Sequence, residues 1–458
     1  MDHHSENHKT SDENNKERFI SLQLKTLRYL CIWPLNSDNQ IYYLLHKLSA
    51  IIRITIMILV SIGQFIQLFF MPNLGLLSSV IDVATLTTSA AFKWVFTIIH
   101  VKEFDKLNRV IFDKFLEVPL VGSKNSNMSM KSLLKYKDLL CTGYCVSGTL
   151  IMTLWAFTPL LNSFIKHDII LDKHNNASDQ FLSPYHDLKM PVNSWLPFSP
   201  TWSPLYQIVF LIEYYTFIES AFVYGFQDCY FFTMLYCVSC QMDILCETMK
   251  NITINLSVER ERRSGNFENL ESSRRRVEIK ELDGNEGTNE YTTVDKIQYD
   301  EVELHNILKQ CIEHHTILLK FLRDYEKLSQ TMIIVDFLHA IISLSFALLE
   351  ITVSQNIIEY TKMLLFLVIC IWHQFLNNHF GELIIQKQMS IADAAYDLPW
   401  VERSPQFKTS MKIMIMRSQQ PVILNGLKMY FLCYKTFMEF TKALISYFMV
   451  LRTLQEGK

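Results

Sequence analysis

Hydrophobic and polar positions in this chain are sorted into long blocks. A bilayer crossing needs about 20 predominantly apolar residues, and seven runs approach or exceed that length: Leu48–Phe70, Leu77–His100, Leu139–Leu161, Leu205–Phe226, Met332–Thr352, Leu364–Ile385 and a terminal run from Phe437 to Leu454. The second and sixth are the most polar, carrying Asp82 and Lys93, and His373, Asn377, Asn378 and His379. Beyond the fourth run, Phe232, Leu235, Val238, Met242, Leu245 and Met249 keep a helical apolar face. From Glu301, the positions Leu304, Leu308, Cys311, Ile312, His315, Leu318, Leu319, Leu322 and Tyr325 recur at three- and four-residue spacing, predicting an amphipathic helix that packs on the first. A third amphipathic helix is predicted over Phe407–Gln419, with Met411, Met414 and Ile415 on its apolar face and Pro421 as its stop. Between the fourth and fifth runs, Ser257 to Thr293 is rich in Arg, Glu, Asn, Ser and Gly and is expected to be disordered.

Composition agrees with a membrane solvent. The 458 residues are 49% hydrophobic and 19% charged, with a mean hydropathy of +0.12, whereas soluble domains carry about a quarter charged residues. A net charge of −3 gives no reason to expect nucleic acid. The first polar stretch lacks the layout of a cleaved signal peptide. Basic residues gather on one side of the predicted spans, including Lys16, Arg18, Lys47, Lys102, Lys106, Arg109, Arg274–Arg276, Arg403, Lys408 and Arg417. The positive-inside rule then places the amino terminus in the cytosol and the carboxyl terminus outside, opposite to a G-protein-coupled receptor. The expected organisation is a cytoplasmic segment 1–47, spans one to four over 48–248 with an extracellular loop 162–203, and a cytoplasmic insert 249–300. Residues 301–386 then hold the amphipathic helix and spans five and six, and 387–458 the cytoplasmic anchor helix and the last span. The loop holds the glycosylation sequon Asn176-Ala177-Ser178.

Catalytic signatures are missing: there is no P-loop, GxGxxG, HExxH or GxSxG in a supporting context, so an enzyme is not expected. The Cys237/Cys240 pair has no second ligand pair at zinc-finger spacing, and the ten cysteines read as buried thiols with no metal. His314 and His315 point about 100° apart on a helix and cannot readily share a metal. Asp82, Lys93, Glu213, Glu219, Asp336, His339 and Glu350 fall inside predicted spans, where a charge costs roughly 3 kcal/mol or more. They either pair to fix helix packing or line a polar cavity.

Several short motifs, in order, resemble the insect odorant receptors. They are Cys311-Ile312-x-x-His315, Phe380-Gly381-Glu382, Ala392-Asp393-Ala394-Ala395-Tyr396-Asp397-Leu398-Pro399-Trp400, Met416-Arg417-Ser418-Gln419-Gln420-Pro421, and the terminal Ser446-Tyr447-Phe448 with Leu451-Arg452. The resemblance implies an all-α, seven-transmembrane bundle of inverted topology, a subunit of a tetrameric, odorant-gated, non-selective cation channel in the plasma membrane of a sensory dendrite. The implied partners are the odorant receptor co-receptor, a small volatile odorant and membrane lipid, with no cofactor. The Asp397-Leu398-Pro399-Trp400 and Arg417-Ser418-Gln419 segments resemble a ligand-specific subunit, although the Tyr-Phe-Met-Val-Leu run and the long insert are similar to the co-receptor. By the same resemblance the last span lines the pore, with Val450 and Leu454 as its gate. The ligand pocket would be built from Val83, Leu86, Thr87, Gly148, Ile151 and Trp155, joined by Ile208, Ile212 and Phe346. A metabotropic seven-helix receptor and a gustatory receptor channel are the alternatives.

Overall fold

In the computed structural model the described residues are 27–29, 31, 40–70, 74–115, 142–157, 194–198, 204–263, 301–353, 357–398, 400–401 and 403–456. In chain order they form α1 (Gln40–Leu68), α2 (Leu74–Ile99), the short α3 (Val101–Val110) with a π-helical turn at Ile111–Phe115, and α4 (Thr142–Phe157). These are followed by α5 (Leu205–Arg263), α6 (Glu301–Val353), α7 (Ile357–Tyr396), α8 (Pro405–Ser418), the two-residue strands β1 (Asn425–Gly426) and β2 (Tyr430–Phe431), and α9 (Tyr434–Glu456). Each of the seven predicted spans falls on a helix. Among the described residues α1, α5, α6 and α7 are long and apolar enough to cross a membrane. The other three carry more polar residues or have a shorter described length.

The main departure from the sequence reading is continuity. The fourth span and the amphipathic stretch after it form one helix of 59 residues, and the amphipathic segment from Glu301 runs unbroken into the fifth span as one helix of 53 residues. At about 1.5 Å per residue these reach roughly 88 and 80 Å, against a hydrocarbon layer of about 30 Å. Each therefore continues well beyond the bilayer. No Gly or Pro lies between Phe226 and Met249 or between Tyr325 and Met332, so nothing in the sequence breaks either helix. α1 also starts before Leu48, because Ile41, Leu44 and Leu45 continue its exposed apolar surface. The backbone is helical as far as Arg263, so the first part of the segment 257–293 is ordered helix; its remainder, and the sequon at Asn176, lie outside the described residues.

Two large apolar clusters hold the helices, with a small one between Cys145 and Cys229. The larger joins Phe232, Leu235 and Met242 of α5 to Leu308, Leu318 and Leu322 of α6, Ile384 and Ile391 of α7, and Met411 and Met414 of α8. This is the α5–α6 pairing that the two apolar faces predicted, with α7 and α8 added. The second lies between the membrane parts of the helices and contains Val83, Leu86, Met152, Trp155, Phe217, Tyr224, Ala347, Met363 and Phe366. α8 starts with Ser404 as N-cap, its side chain accepting from Phe407 N, and with Pro405 in the first turn.

The short motifs acquire physical reasons where these elements meet. Phe380 stacks on Phe232 at 4.8 Å. A Cβ on Gly381 would overlap the Leu432 backbone, so only glycine lets α7 approach the segment leading into α9. Glu382 accepts from Tyr434 N at 3.2 Å, at the amino terminus of α9. The hairpin before α9 was not expected: its Asn425-Gly426 pair forms strand β1 instead of the turn, and the positive φ falls on Leu427 (φ 51°) and Lys428 (φ 62°). Asn425 compensates by accepting from Lys428 N at 2.8 Å, and Asn378 of α7 holds Tyr430 by a 2.7 Å hydrogen bond. His315 of α6 meets Ser418 of α8 at 3.4 Å, joining two motifs that lie far apart in sequence.

Two outcomes follow from this packing. Gly381→Ala is expected to reduce correctly folded, surface-labelled protein several-fold, while Gly143→Ala, whose Cβ would meet open space, leaves it unchanged; equal amounts of both variants would refute the close approach. His315 sits in the half of α6 outside the bilayer, and burial, Arg417 and His314 hold its ring down to about 4. The folded state thus takes up its proton later than an unfolded histidine at about 6.5. The stability this provides is present above about pH 6.5 and declines as pH falls from there toward 4. His315→Gln should flatten that part of the pH profile of the thermal midpoint, and an unaltered profile would show that His315 does not supply it.

Candidate functional site

The membrane part of the bundle is organised around Lys93 of α2, which is fully buried. An ammonium cannot leave water without partners, and its Nζ lies 2.6 Å from Asp228 Oδ1 of α5 and 2.7 Å from Asp336 Oδ1 of α6. The second Asp228 oxygen lies 2.9 Å from His373 Nε2 of α7. The face of Tyr224 covers the ammonium at 3.7 Å. Gln227 donates to the Lys93 carbonyl at 3.0 Å and to Thr97 at 2.6 Å. Four helices therefore converge on one buried charge. Asp228, Asp336 and His373 have the donor types of a metal site and lie within 4.8 Å of one another, but the Lys93 ammonium already sits against both carboxylates, in the place a cation would take.

The other predicted intramembrane ionisable residues are distributed around this centre. Arg53 reaches Glu219 at 3.1 Å, Ser78 donates to Glu350 at 2.7 Å, and Glu213 accepts from Ser194 N at 3.2 Å. Asp82 is buried, and its carboxyl has no hydrogen-bond partner among the described residues. Pairing accounts for most of these residues, and a polar-floored cavity for His339. Asp228, lying just past the predicted end of the fourth span, escaped the sequence reading; the signal that could have found it is a Lys93 inside a predicted span, which needs counter-charges from neighbouring helices.

Beside the network lies a cavity of about 60 Å³. Tyr144, Tyr224, His339 and His373 form its polar end, and Leu86, Met152, Ala221, Ala340, Phe366 and Ile369 its apolar walls, with Cys145, Gly148, Thr149, Gly225 and Cys370 completing the lining. Space exists here partly because α4 and α5 carry glycines. A Cβ at Gly148 would come within 3.7 Å of Ile369 Cδ1, and one at Gly225 within 3.7 Å of Cys145 Sγ.

Of the pocket residues expected from the sequence, Leu86 and Gly148 line this cavity. Val83 and Trp155 lie in the adjoining apolar cluster, where Trp155 packs on Phe366 at 5.1 Å and beneath the Lys362 ammonium at 4.6 Å. Ile151 and Phe346 are half-buried and outside the lining. Thr87 faces α1 instead, donating to Gln64 at 2.7 Å. Ile208 and Ile212 are exposed on the outer side of α5, and the structure does not bring them to the cavity. Val450 and Leu454 lie on α9, remote from the cavity and exposed at 57% and 64%.

A family model described as seven-transmembrane odorant receptor matches residues 73–445. The chain belongs to the odorant receptor family. Odorant receptor 67c of Drosophila melanogaster is 27% identical over 144 residues, 31% of this chain and 35% of that protein. The odorant receptor coreceptor of Anopheles gambiae is 19% identical over 410 residues, 80% of this chain and 83% of that protein. The matches to the first curated relatives thus span about a third of those proteins' length. The olfactory receptor OR5 of Machilis hrabei, solved in complex with eugenol, shares the fold with a TM-score of 0.72 at 14% identity, covering 97% of this chain and all of that one. The chain is accordingly a multi-pass membrane protein with a seven-helix bundle, and the cavity lies within the matched region.

The charge network generates a test. Lys93→Met leaves two buried carboxylates without their cation, a change that costs about 3–5 kcal/mol in comparable pairs, and is expected to abolish monodisperse receptor in detergent. Adding Asp228→Asn and Asp336→Asn should restore a substantial fraction. A normal yield from the single variant would contradict the network's role in holding the bundle.

Proposed function

We propose that this odorant receptor is a ligand-specific subunit of an odorant-gated, non-selective cation channel, assembled with the odorant receptor co-receptor as a tetramer in the plasma membrane. Its amino terminus is cytoplasmic, its carboxyl terminus and the Asn176 sequon face outward, and the parts of α5 to α8 beyond the bilayer contribute the contact between subunits. Volatile, mostly apolar ligands occupy the cavity, with Leu86 and Gly148 in its wall and Val83 and Trp155 in its apolar surround. Ile151 and Phe346 stand behind the lining. Val450 and Leu454 form the apolar constriction of a pore lined by α9.

The observation that carries this reading is that α6 and α7 touch both places. They contribute His339, Ala340, Phe366, Ile369, Cys370 and His373 to the cavity. They also pack on α9 through Phe337 against Phe440 at 5.8 Å, Phe375 against Phe437 at 5.8 Å, and a 2.7 Å hydrogen bond between His379 and Tyr434. Phe337 lies two positions from His339, and Phe375 two from His373. A ligand that binds the open arrangement more tightly than the closed one biases these two helices and carries α9 outward, widening and hydrating the constriction. Exposure of Val450 and Leu454 on the single chain is what an apolar seam completed by other subunits requires.

Replacing Val450 and Leu454 together with Ser should raise ligand-independent current several-fold in cells co-expressing the co-receptor, at unchanged surface amount. Unaltered closure would remove both residues from the gate.

A further inference from the structure

The cavity's polar end has a hydrogen-bond direction that can be read by following protons. Thr85 Oγ1 donates to the Asp82 carbonyl at 3.0 Å, which uses its only proton. Thr85 also lies 3.1 Å from Ser343 Oγ, and in that contact Thr85 is left as the acceptor. Ser343 therefore spends its one proton on Thr85. Ser343 Oγ lies in turn 3.2 Å from His339 Nδ1, and with its proton already committed it accepts there. A neutral His339 then carries its proton on Nδ1, which leaves Nε2 as a bare lone pair. His339 lines the cavity, and Nε2 has no hydrogen-bond partner among the described residues. Tyr224 packs edge-on against the ring at 5.5 Å and limits its rotation.

We infer that His339 Nε2 is a hydrogen-bond acceptor presented to the ligand, and that the cavity selects small molecules bearing one hydroxyl donor, alcohols or phenols, over ethers of the same skeleton. The inference rests on the reading of this cavity as the odorant site. A ligand without a donor leaves a buried acceptor unsatisfied, while an alcohol satisfies it and lays its hydrocarbon against Leu86, Met152, Phe366 and Ile369. The chain of hydroxyls from Asp82 through Thr85 and Ser343 positions the ring and fixes its tautomer.

The test is a dose-response series in cells co-expressing the co-receptor, paired with thermal-shift measurements on the purified assembly. The probes are hexanol, cyclohexanol, benzyl alcohol and phenol, each with its O-methyl ether. Half-maximal concentrations for the alcohols should lie about tenfold below those of their ethers. His339→Phe should bring the two series together, the alcohols losing their advantage over the ethers. Ser343→Ala, a milder change, frees Nδ1 to exchange tautomers and should shrink the preference. Gly148→Leu, which fills the cavity, should suppress both series.

Equal potency of alcohols and ethers with both lost in Gly148→Leu would overturn the donor preference and leave the cavity as the odorant site. A preference that survives His339→Phe would likewise overturn the assignment to Nε2. Responses that persist in Gly148→Leu would overturn the odorant-site reading and the inference with it, as would a panel in which no compound alters current or thermal midpoint.

Discussion

A primary ammonium buried in a membrane bundle has few stable solutions, and the Lys93 arrangement is one of them. Two carboxylates from different helices and one aromatic face surround it, and a histidine from a fourth helix meets the far side of Asp228. Each partner is costly alone and tolerable only in the presence of the others. The register of α2, α5, α6 and α7 is thereby tied together at one depth. The cavity sits immediately beside this point, with Tyr224 and His373 belonging to both, so the rigid polar centre and the deformable apolar space share a wall.

The same helices continue past the bilayer, and that continuity gives the proposed mechanism its reach. α5, α6 and α7 enter the large apolar cluster with α8, while α6 and α7 also meet α9. A bias applied at the cavity acts on elements already in contact with the proposed pore helix, through Phe337 and Phe375. The fixed end is as important as the moving one. Gly381 against Leu432, Glu382 at Tyr434 N, and Asn378 on Tyr430 hold the entry to α9, so its remaining length is the part left to move on this account.

Much of the architecture was legible in the sequence. Seven apolar runs became helices, and the apolar faces after the fourth run and before the fifth met as their spacing required. Boundaries were less legible, since nothing in the local sequence distinguishes a membrane helix from its own extension when no Gly or Pro intervenes. The hairpin before α9 was hidden because Asn425-Gly426 is spent on strand β1 and the left-handed conformations fall on Leu427 and Lys428, residue types that give no turn signal. Of the pocket residues expected from family spacing, Leu86 and Gly148 line the cavity, whereas Thr87 turns toward α1 and Ile208 and Ile212 lie exposed on α5. The polar end, Tyr144, Tyr224, His339 and His373, could not be assembled beforehand, because it depends on which helices the Lys93 network brings together.

The central claim, that an odorant in this bundle opens a cation pathway shared with the co-receptor, is tested most directly by recording whole-cell current against a broad panel of volatile compounds. Cells expressing this chain with the co-receptor are compared with cells expressing either chain alone. The account predicts a ligand-evoked, non-selective cation current that depends on this chain for its ligand profile and appears only when both are present. Evoked current from this chain alone, or responses that require a G protein and carry no ligand-gated conductance, would contradict it.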